Sequence, residues 1–299
     1  MRTGKTKPTM KRQKRGILCA VLAAVFYALN APVSKLLIDR VPPTMMAAFL
    51  YLGAGVGMAV LQLARPGFAS GEERLTRSDL PYTVAMVVLD IAAPIALMLG
   101  ISGTSAANAS LLNNFEIVAT SLIALLIFHE RITGKLWLGI GLVTLSSLIL
   151  SVADISRLSL SAGSLLVLAA CVCWGFENNC TRRLSSKNPL QIVVVKGIFS
   201  GAGALVIALI TGESLPDMPG ILGAMALGFV AYGLSIALYI YAQRELGAAR
   251  TSSYYAVAPF VGVALSLVIF AEIPPVSFLV ALLVMIAGTW VVTTADQAD

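Results

Sequence analysis

Apolar residues in this chain neither alternate with polar ones nor return only every third or fourth position. They continue for about twenty positions, then stop at a short polar or proline-marked break. A helix rises about 1.5 Å per residue, so roughly 20 apolar residues cross a bilayer core. Ten runs meet that length: Gly16–Ile38, Met45–Ala64, Leu80–Ile101, Thr104–Phe128, Gly134–Val152, Gly163–Leu184, Leu190–Thr211, Gly220–Gln243, Ala248–Phe270 and Val276–Thr294. The break between Ile101 and Thr104 is the weakest. Joining the runs on either side would give one helix far too long for a single crossing. The residues left over form a tail and short loops, with no room for a soluble domain.

Composition agrees with the pattern. Over 299 residues, 58% are apolar, 12% are charged, and mean hydropathy is +0.88. A soluble domain carries about 45–50% apolar and about 25% charged residues. A water-soluble enzyme, a disordered chain, collagen and a disulfide scaffold are therefore excluded, and the expected fold class is an all-α polytopic membrane protein. Met1–Arg15 holds seven Lys/Arg and no acid, ahead of an apolar run as long as a full span. This reads as a basic cytoplasmic tail (1–15) before an anchoring helix rather than a cleaved leader.

Charge fixes an expected orientation. With the N-terminus in the cytoplasm, seventeen Lys/Arg fall on that side and three (Lys35, Arg40, Arg157) on the other, while Lys196 lies inside a span. That bias predicts an even number of spans with both termini cytoplasmic. The net charge of +6 is then an orientation signal facing anionic lipid, with no nucleic-acid partner implied. Cys19, Cys171, Cys173 and Cys180 have no zinc spacing and read as small packing residues. No metal site is expected.

The chain repeats itself. A shift of 147 aligns Gly16 with Gly163, Tyr27 with Trp174, Asn30 with Glu177, Lys35 with Arg182 and Pro42 with Pro189. A shift of 142 lays Ser105–Ser110 on Gly247–Ser252, Phe128 on Phe270, Glu130 on Glu272 and Ser146 on Gly288. Residues 16–152 and 163–294 thus form two five-helix halves. An odd number of spans per half inverts the second copy, an arrangement common in secondary transporters.

Ala106-x-x-Ala-Ser-Leu-Leu, an apolar run, then Glu130-Arg131-Ile132 resembles the EamA-type drug/metabolite transporters, and Gly247-Ala-Ala-Arg-Thr-Ser, Pro259 and Glu272 look like a second copy. Within that family the stretch Ala106–Ile132 looks like the amino-acid exporters of the YddG type. The first copy has Ile117 where the second has Pro259, so a straight fourth helix beside a kinked ninth is expected. The resemblance implies a cavity surrounded by spans three, four, eight and nine, with spans one, two, six and seven as gating elements and spans five and ten behind. It further implies a cofactor-independent, alternating-access exporter in a bacterial inner membrane. The cargo would be amino acids, including aromatic or other apolar ones, or similar small metabolites. The expected assembly is a monomer or weak homodimer.

Polar groups at membrane depth give the candidate site. Asp90, Glu116, Glu177 and Lys196 lie mid-span, each at a cost of roughly 2.5–3.5 kcal/mol if isolated. Two carboxylates facing one cavity repel each other and favour a shared proton, so Asp90 and Glu116 read as substrate- or proton-binding; a structural carboxyl bonded to an amide is the alternative. Glu177 and Lys196 come out at similar depth and predict an ion pair or gate, with Asn30 as the repeat counterpart of Glu177. Asn113, Glu116 and Thr120 share a helix face, as do Tyr232, Ser235 and Tyr239. Thr251, Tyr255 and Ala258 are the counterparts of Ala109, Asn113 and Glu116. The substrate-binding set is Asp90, Asn113, Glu116, Tyr232, Ser235, Tyr239 and Tyr255. It suits a zwitterion whose ammonium meets a carboxylate and whose apolar body meets the tyrosines and Met98. Tyrosines packing between helices or in the interfacial belt are the alternative reading.

His129 ends the fourth span and reads as solvated, and Glu130 and Glu272 as matched helix-end groups. No Walker loop, Gly-x-Ser-x-Gly or Cys/His dyad is present. An intramembrane hydrolase or transferase using Asp90 and Glu116 is the main competing class, and a transporter of another metabolite or drug class the nearer alternative. Gly53-Ala-Gly-Val-Gly57 and Gly197-x-x-x-Gly201-x-Gly203 predict close helix packing.

Overall fold

The computed structural model describes residues 10–64, 73–128, 134–154, 159–184, 187–246, 254–271 and 273–295. Their helices follow the apolar runs. The first span is α1 (Met10–Ala28) continued by α2 (Asn30–Leu37); α3 (Pro43–Ala64) and α4 (Leu80–Ser102) are the second and third. The fourth is α5 (Ala106–Leu112) and α6 (Phe115–Phe128), followed by α7 (Gly134–Ser151). A short antiparallel ladder pairs Val152 with Leu160 and Asp154 with Ser159 between the halves. Then come α8 (Ala162–Leu184) and α9 (Pro189–Ile210). The eighth span joins α10 (Met218–Gly228), a wider π-helical stretch (Phe229–Leu234) and α11 (Ser235–Leu246). The ninth ends in α12 (Ala258–Phe270), and the tenth is α13 (Val276–Ala295).

Six of these stretches are individually long and apolar enough to cross a membrane: Lys14–Leu37, Pro43–Ala64, Arg77–Ser102, Ala106–Ile127, Pro189–Ile210 and Met218–Ala242. Trp137–Leu150, Ala258–Phe270 and Val276–Val291 are shorter apolar helices. The remaining span, α8, carries the charge of Glu177 in its interior. Large apolar side chains such as Leu63, Val268, Leu283 and Trp290 point outward, as lipid contact requires.

The two halves interlock. α3 packs on α9, α4 on α8, α1 on α11, α5 on α12 and α7 on α13. In span numbers these pairs are two with seven, three with six, one with eight, four with nine and five with ten. Adding five to each member returns the same set, which is the signature of a pseudo-two-fold arrangement. The glycines make the closest of these contacts possible. A Cβ on Gly55 would lie 2.6 Å from the Ile198 nitrogen, and one on Gly201 2.7 Å from the Leu52 nitrogen. Cβ atoms on Gly53 and Gly228 would overlap the backbones of Met225 and Leu50. Interiors packed this closely leave no room for a methyl group.

The fourth span departs from the expected straight helix. It breaks at Asn113–Asn114, where backbone bonds tighten: Asn114 N to the Leu111 carbonyl at 3.2 Å and Glu116 N to the Asn113 carbonyl at 3.1 Å. The Asn114 amide nitrogen donates to the same Leu111 carbonyl at 3.2 Å. Asparagine competes for backbone groups in this way, so no proline is needed for a break. In the ninth span a turn at Ala256–Val257 precedes Pro259, as expected. The 142-residue offset carries the first break to within one residue of the second.

Candidate functional site

Lys196 on α9 sits between two carboxylates. Its Nζ donates to Glu177 Oε1 of α8 at 3.0 Å and lies 3.1 Å from Asp90 Oδ2 of α4. The Tyr51 hydroxyl donates to Asp90 Oδ1 at 2.9 Å, and the Thr181 hydroxyl bonds Glu177 Oε1. Asp90, Glu177 and Lys196 are all buried. The Glu177–Lys196 contact anticipated from depth is present, and Asp90 completes it as a third member. Asp90 is held by these groups rather than beside Glu116.

Glu116 stands in the first turn of α6, just after the break, where the helix N-terminus favours a negative charge. The Asn178 amide donates to Glu116 Oε1 at 2.7 Å and reaches Thr120 Oγ1 at 3.3 Å. Among the described residues no Lys or Arg pairs with Glu116.

A string of tyrosines connects these groups. Ring centroids are 5.1 Å apart for Tyr51 and Tyr232, 6.1 Å for Tyr27 and Tyr232, 5.8 Å for Tyr27 and Tyr255, and 4.9 Å for Tyr239 and Tyr255. Such spacings fall in the favourable range for aromatic pairs. Asn30 donates to the Tyr232 hydroxyl at 2.9 Å and receives the Ser34 hydroxyl at 3.2 Å. Ser235 is fully buried and donates to the Ala23 carbonyl at 2.9 Å, with the Tyr255 hydroxyl 3.5 Å away. Its hydroxyl therefore ties spans one and eight together as well as facing Tyr255.

Where α5, α12 and the first span meet, Tyr27, Ala28, Ala31, Ser110, Asn113, Ala258, Pro259 and Gly262 line a small hollow. Its volume of about 10 Å³ to the centre of a water corresponds to one water molecule. As it stands the hollow admits nothing larger than a water molecule.

Both ends of the bundle are fastened. On the side of the second and third spans' loop, Lys187 Nζ lies 3.1 Å from Glu73 and 3.6 Å from Asp79, and Asn188 N donates to the Glu73 carbonyl at 2.8 Å. The bonds from Thr76 hold the Asp79 carboxyl below the usual range, and the bond to Glu73 raises the Lys187 ammonium above its own. On the opposite side Gly212, at φ 77°, ends α9 in a left-handed turn. That turn delivers Glu213, which accepts from the backbone nitrogens of Thr44 at 3.1 Å and Met45 at 2.8 Å. Lys35 donates to the carbonyls of Ile101 at 2.6 Å and Thr104 at 2.9 Å, closing the C-terminus of α4.

The structure brings Asn30, Tyr232, Ser235, Tyr239 and Tyr255 into one neighbourhood, puts Asn113 in the hollow, and joins Asp90, Glu177 and Lys196. Tyr51, Asn178 and Thr181 lie outside the set the sequence indicates, and Tyr27 enters it only as the repeat partner of Trp174. Their signal is burial of a polar group opposite a known carboxylate, which helical periodicity does not reveal. His129, Glu130, Arg250, Thr251 and Glu272 lie outside the described residues. Among the described residues no cluster of three or more His, Cys, Asp or Glu could hold a metal.

The EamA-like transporter family matches residues 14–152 and again residues 161–294. An uncharacterized transporter of Methanothermobacter thermautotrophicus is 27% identical, over 94% of this chain and 86% of that protein. The uncharacterized transporter YyaM of Bacillus subtilis is 24% identical, over 88% of each chain. The uncharacterized inner membrane transporter YedA of Escherichia coli is 25% identical, over 76% of this chain and 74% of that one. A crystal structure superposes with a TM-score of 0.68 over 95% of this chain and 97% of the other, at 16% identity, a likeness of fold. A family matched twice, once per half, on a ten-span helical bundle leads to one conclusion: the chain belongs to the EamA-like transporter family and is a multi-pass membrane transporter rather than an enzyme.

Proposed function

We propose that the protein is an alternating-access exporter of amino acids, including aromatic or other apolar ones, or of closely similar small metabolites. It would act without a cofactor in a bacterial inner membrane, with both termini in the cytoplasm. The observation that carries this reading is the chemistry of the interior: three carboxylates, one lysine and a line of tyrosines, enclosed by apolar helices. The carboxylates outnumber the lysine three to one, which suits an ammonium. The tyrosine faces suit an apolar or aromatic body and also attract a cation.

The water-sized hollow supports alternating access, because cargo passes only if one end of the bundle opens while the other stays shut. The resemblance of Ala106–Ile132 to YddG-type exporters supports amino acids and outward flux. The excess of basic residues in the tail and alternate loops supports the orientation, and the similarity to YedA, an inner membrane transporter, supports the location.

The test is a competition screen in sealed proteoliposomes. Purified protein is loaded with one labelled amino acid and challenged with each of the twenty and with common metabolites. The expected outcome is saturable, counterflow-competent transport of a subset rich in apolar and aromatic amino acids. Absence of amino-acid competition, with competition by another metabolite class, overturns the substrate assignment.

A further inference from the structure

We propose that the hollow at the breaks of spans four and nine is the subsite for the cargo's α-carboxylate. Ser110 and Asn113 donate to one carboxylate oxygen, and Glu116 receives the ammonium. This inference rests on the amino-acid reading and gives that cargo a pose.

The first observation is an unpaired hydroxyl. Ser110 is 3% exposed, and its Oγ has no hydrogen-bond partner. Burying such a group unbonded is costly, and native proteins rarely carry that cost without a use. Its hydroxyl lies at the hollow, whose lining also includes Asn113 and Tyr27. Three neutral groups able to donate thus surround a space sized for one oxygen atom. No carboxylate lines it, so it offers an ammonium little and an acceptor oxygen a good deal.

The second observation is the wall opposite. Gly262 stands where a Cβ would come within 2.8 Å of Ser110 Oγ. Glycine here leaves the hydroxyl reachable. Gly262 belongs to the beginning of α12, whose N-terminal end faces the hollow and favours negative charge.

The third is the distribution of charge. Asp90 and Glu177 share Lys196. Glu116 is bonded by the Asn178 amide and, among the described residues, forms no ion pair, the nearest lysine, Lys196, being held by the other two carboxylates. Its backbone nitrogen donates to the Asn113 carbonyl at 3.1 Å across the break, so the two residues stand within one turn of each other. That short separation matches an α-amino acid, whose ammonium and carboxylate share one carbon. The side chain would then extend along Tyr27, Tyr255 and Tyr239.

The test uses the full chain in proteoliposomes, with labelled phenylalanine and leucine and their decarboxylated counterparts phenethylamine and isoamylamine. Wild type is expected to prefer each amino acid over its amine by about tenfold or more, since a site built to bond a group rejects the analogue lacking it. Ser110→Ala and Asn113→Ala are expected to lower that preference at least about fivefold, by weakening amino-acid transport more than amine transport. Gly262→Ala, which retains both donors but fills the space, is expected to do the same. Glu116→Gln should weaken amino acid and amine alike. Thermal unfolding in detergent confirms that each variant is folded.

An unchanged preference in Ser110→Ala and Gly262→Ala means that the hollow holds a structural water, and overturns the subsite alone. Equal transport of amine and amino acid by wild type does so too. If neither amino acid moves in wild type while other metabolites do, the function reading falls, and the subsite with it.

Discussion

Asn30 and Glu177 occupy equivalent positions in the two halves and face opposite kinds of partner. Asn30 donates to the Tyr232 hydroxyl, whereas Glu177 accepts from Lys196, which also meets Asp90. The 142-residue offset carries Asp90 onto Tyr232, and the 147-residue offset carries Ser34 onto Thr181. Ser34 bonds Asn30 and Thr181 bonds Glu177, each four residues back. One contact between spans has thus been kept neutral in one half and made ionic in the other.

The neutral contact has a measurable strength. Asn30→Leu removes the donor to Tyr232, a group 4% exposed. Leaving that hydroxyl without a partner should destabilise the protein by about 1–3 kcal/mol. Adding Tyr232→Phe should recover part of the loss. A double-mutant cycle on thermal unfolding in detergent checks this, and strict additivity would refute the bond's importance.

The ionic contact should be less forgiving. Lys196→Met strands two buried carboxylates and is expected to cost about 3–5 kcal/mol, or to abolish folded protein. The triple variant Lys196→Met, Asp90→Asn, Glu177→Gln, with the charges removed together, should regain much of that stability. Melting temperatures of the series provide the comparison.

Close approach of backbones predicts a sharp contrast between glycines. Gly228→Ala would push into the Leu50 carbonyl, and Gly197→Ala would clash with Gly55. Each should lower stability by about 1–3 kcal/mol. Gly141 has nothing within 4 Å of its would-be Cβ, so Gly141→Ala should be neutral or stabilising by about 0.5–1 kcal/mol. Equal effects at the three sites would count against the packing described.

The loop contact of Lys187 should respond to acid and alkali only at the extremes. Asp79, whose pKa is lowered in the fold, contributes above its ordinary value and loses that contribution as pH falls through the lower one. Lys187, whose pKa is raised, contributes below its ordinary value and loses that contribution as pH rises through the higher one. Maleimide labelling of a cysteine placed at Leu75 should therefore stay level from about pH 5 to 9 after correction for thiol ionisation. It should rise modestly in Lys187→Ala and at high salt, because exposed pairs are screened.

The spans were legible because a bilayer imposes a length that few other folds require, and the repeat because prolines and acids recur at fixed offsets. Pro259 announced the break in the ninth span. Asn113 and Asn114 announced nothing, since asparagine breaks a helix only when its amide finds a backbone carbonyl. Glu177 and Lys196 could be matched by depth, for two opposite charges at one level have few other partners. Asp90 could not be joined to them. Its partners come from spans two and seven, and one-dimensional spacing does not say which helices are neighbours. Tyr51 and Asn178 stayed hidden for the same reason.

The hollow between the broken helices has a further consequence for the cell. A cytoplasmic membrane stores energy as ion gradients, and any continuous thread of water through a protein would drain them. In the carrier proposed above, a hollow with space for a solitary water molecule and fastened rims would serve as an electrical plug. Under the proposed alternating cycle, one rim is dismantled and restored before the other yields, and the membrane keeps its charge throughout.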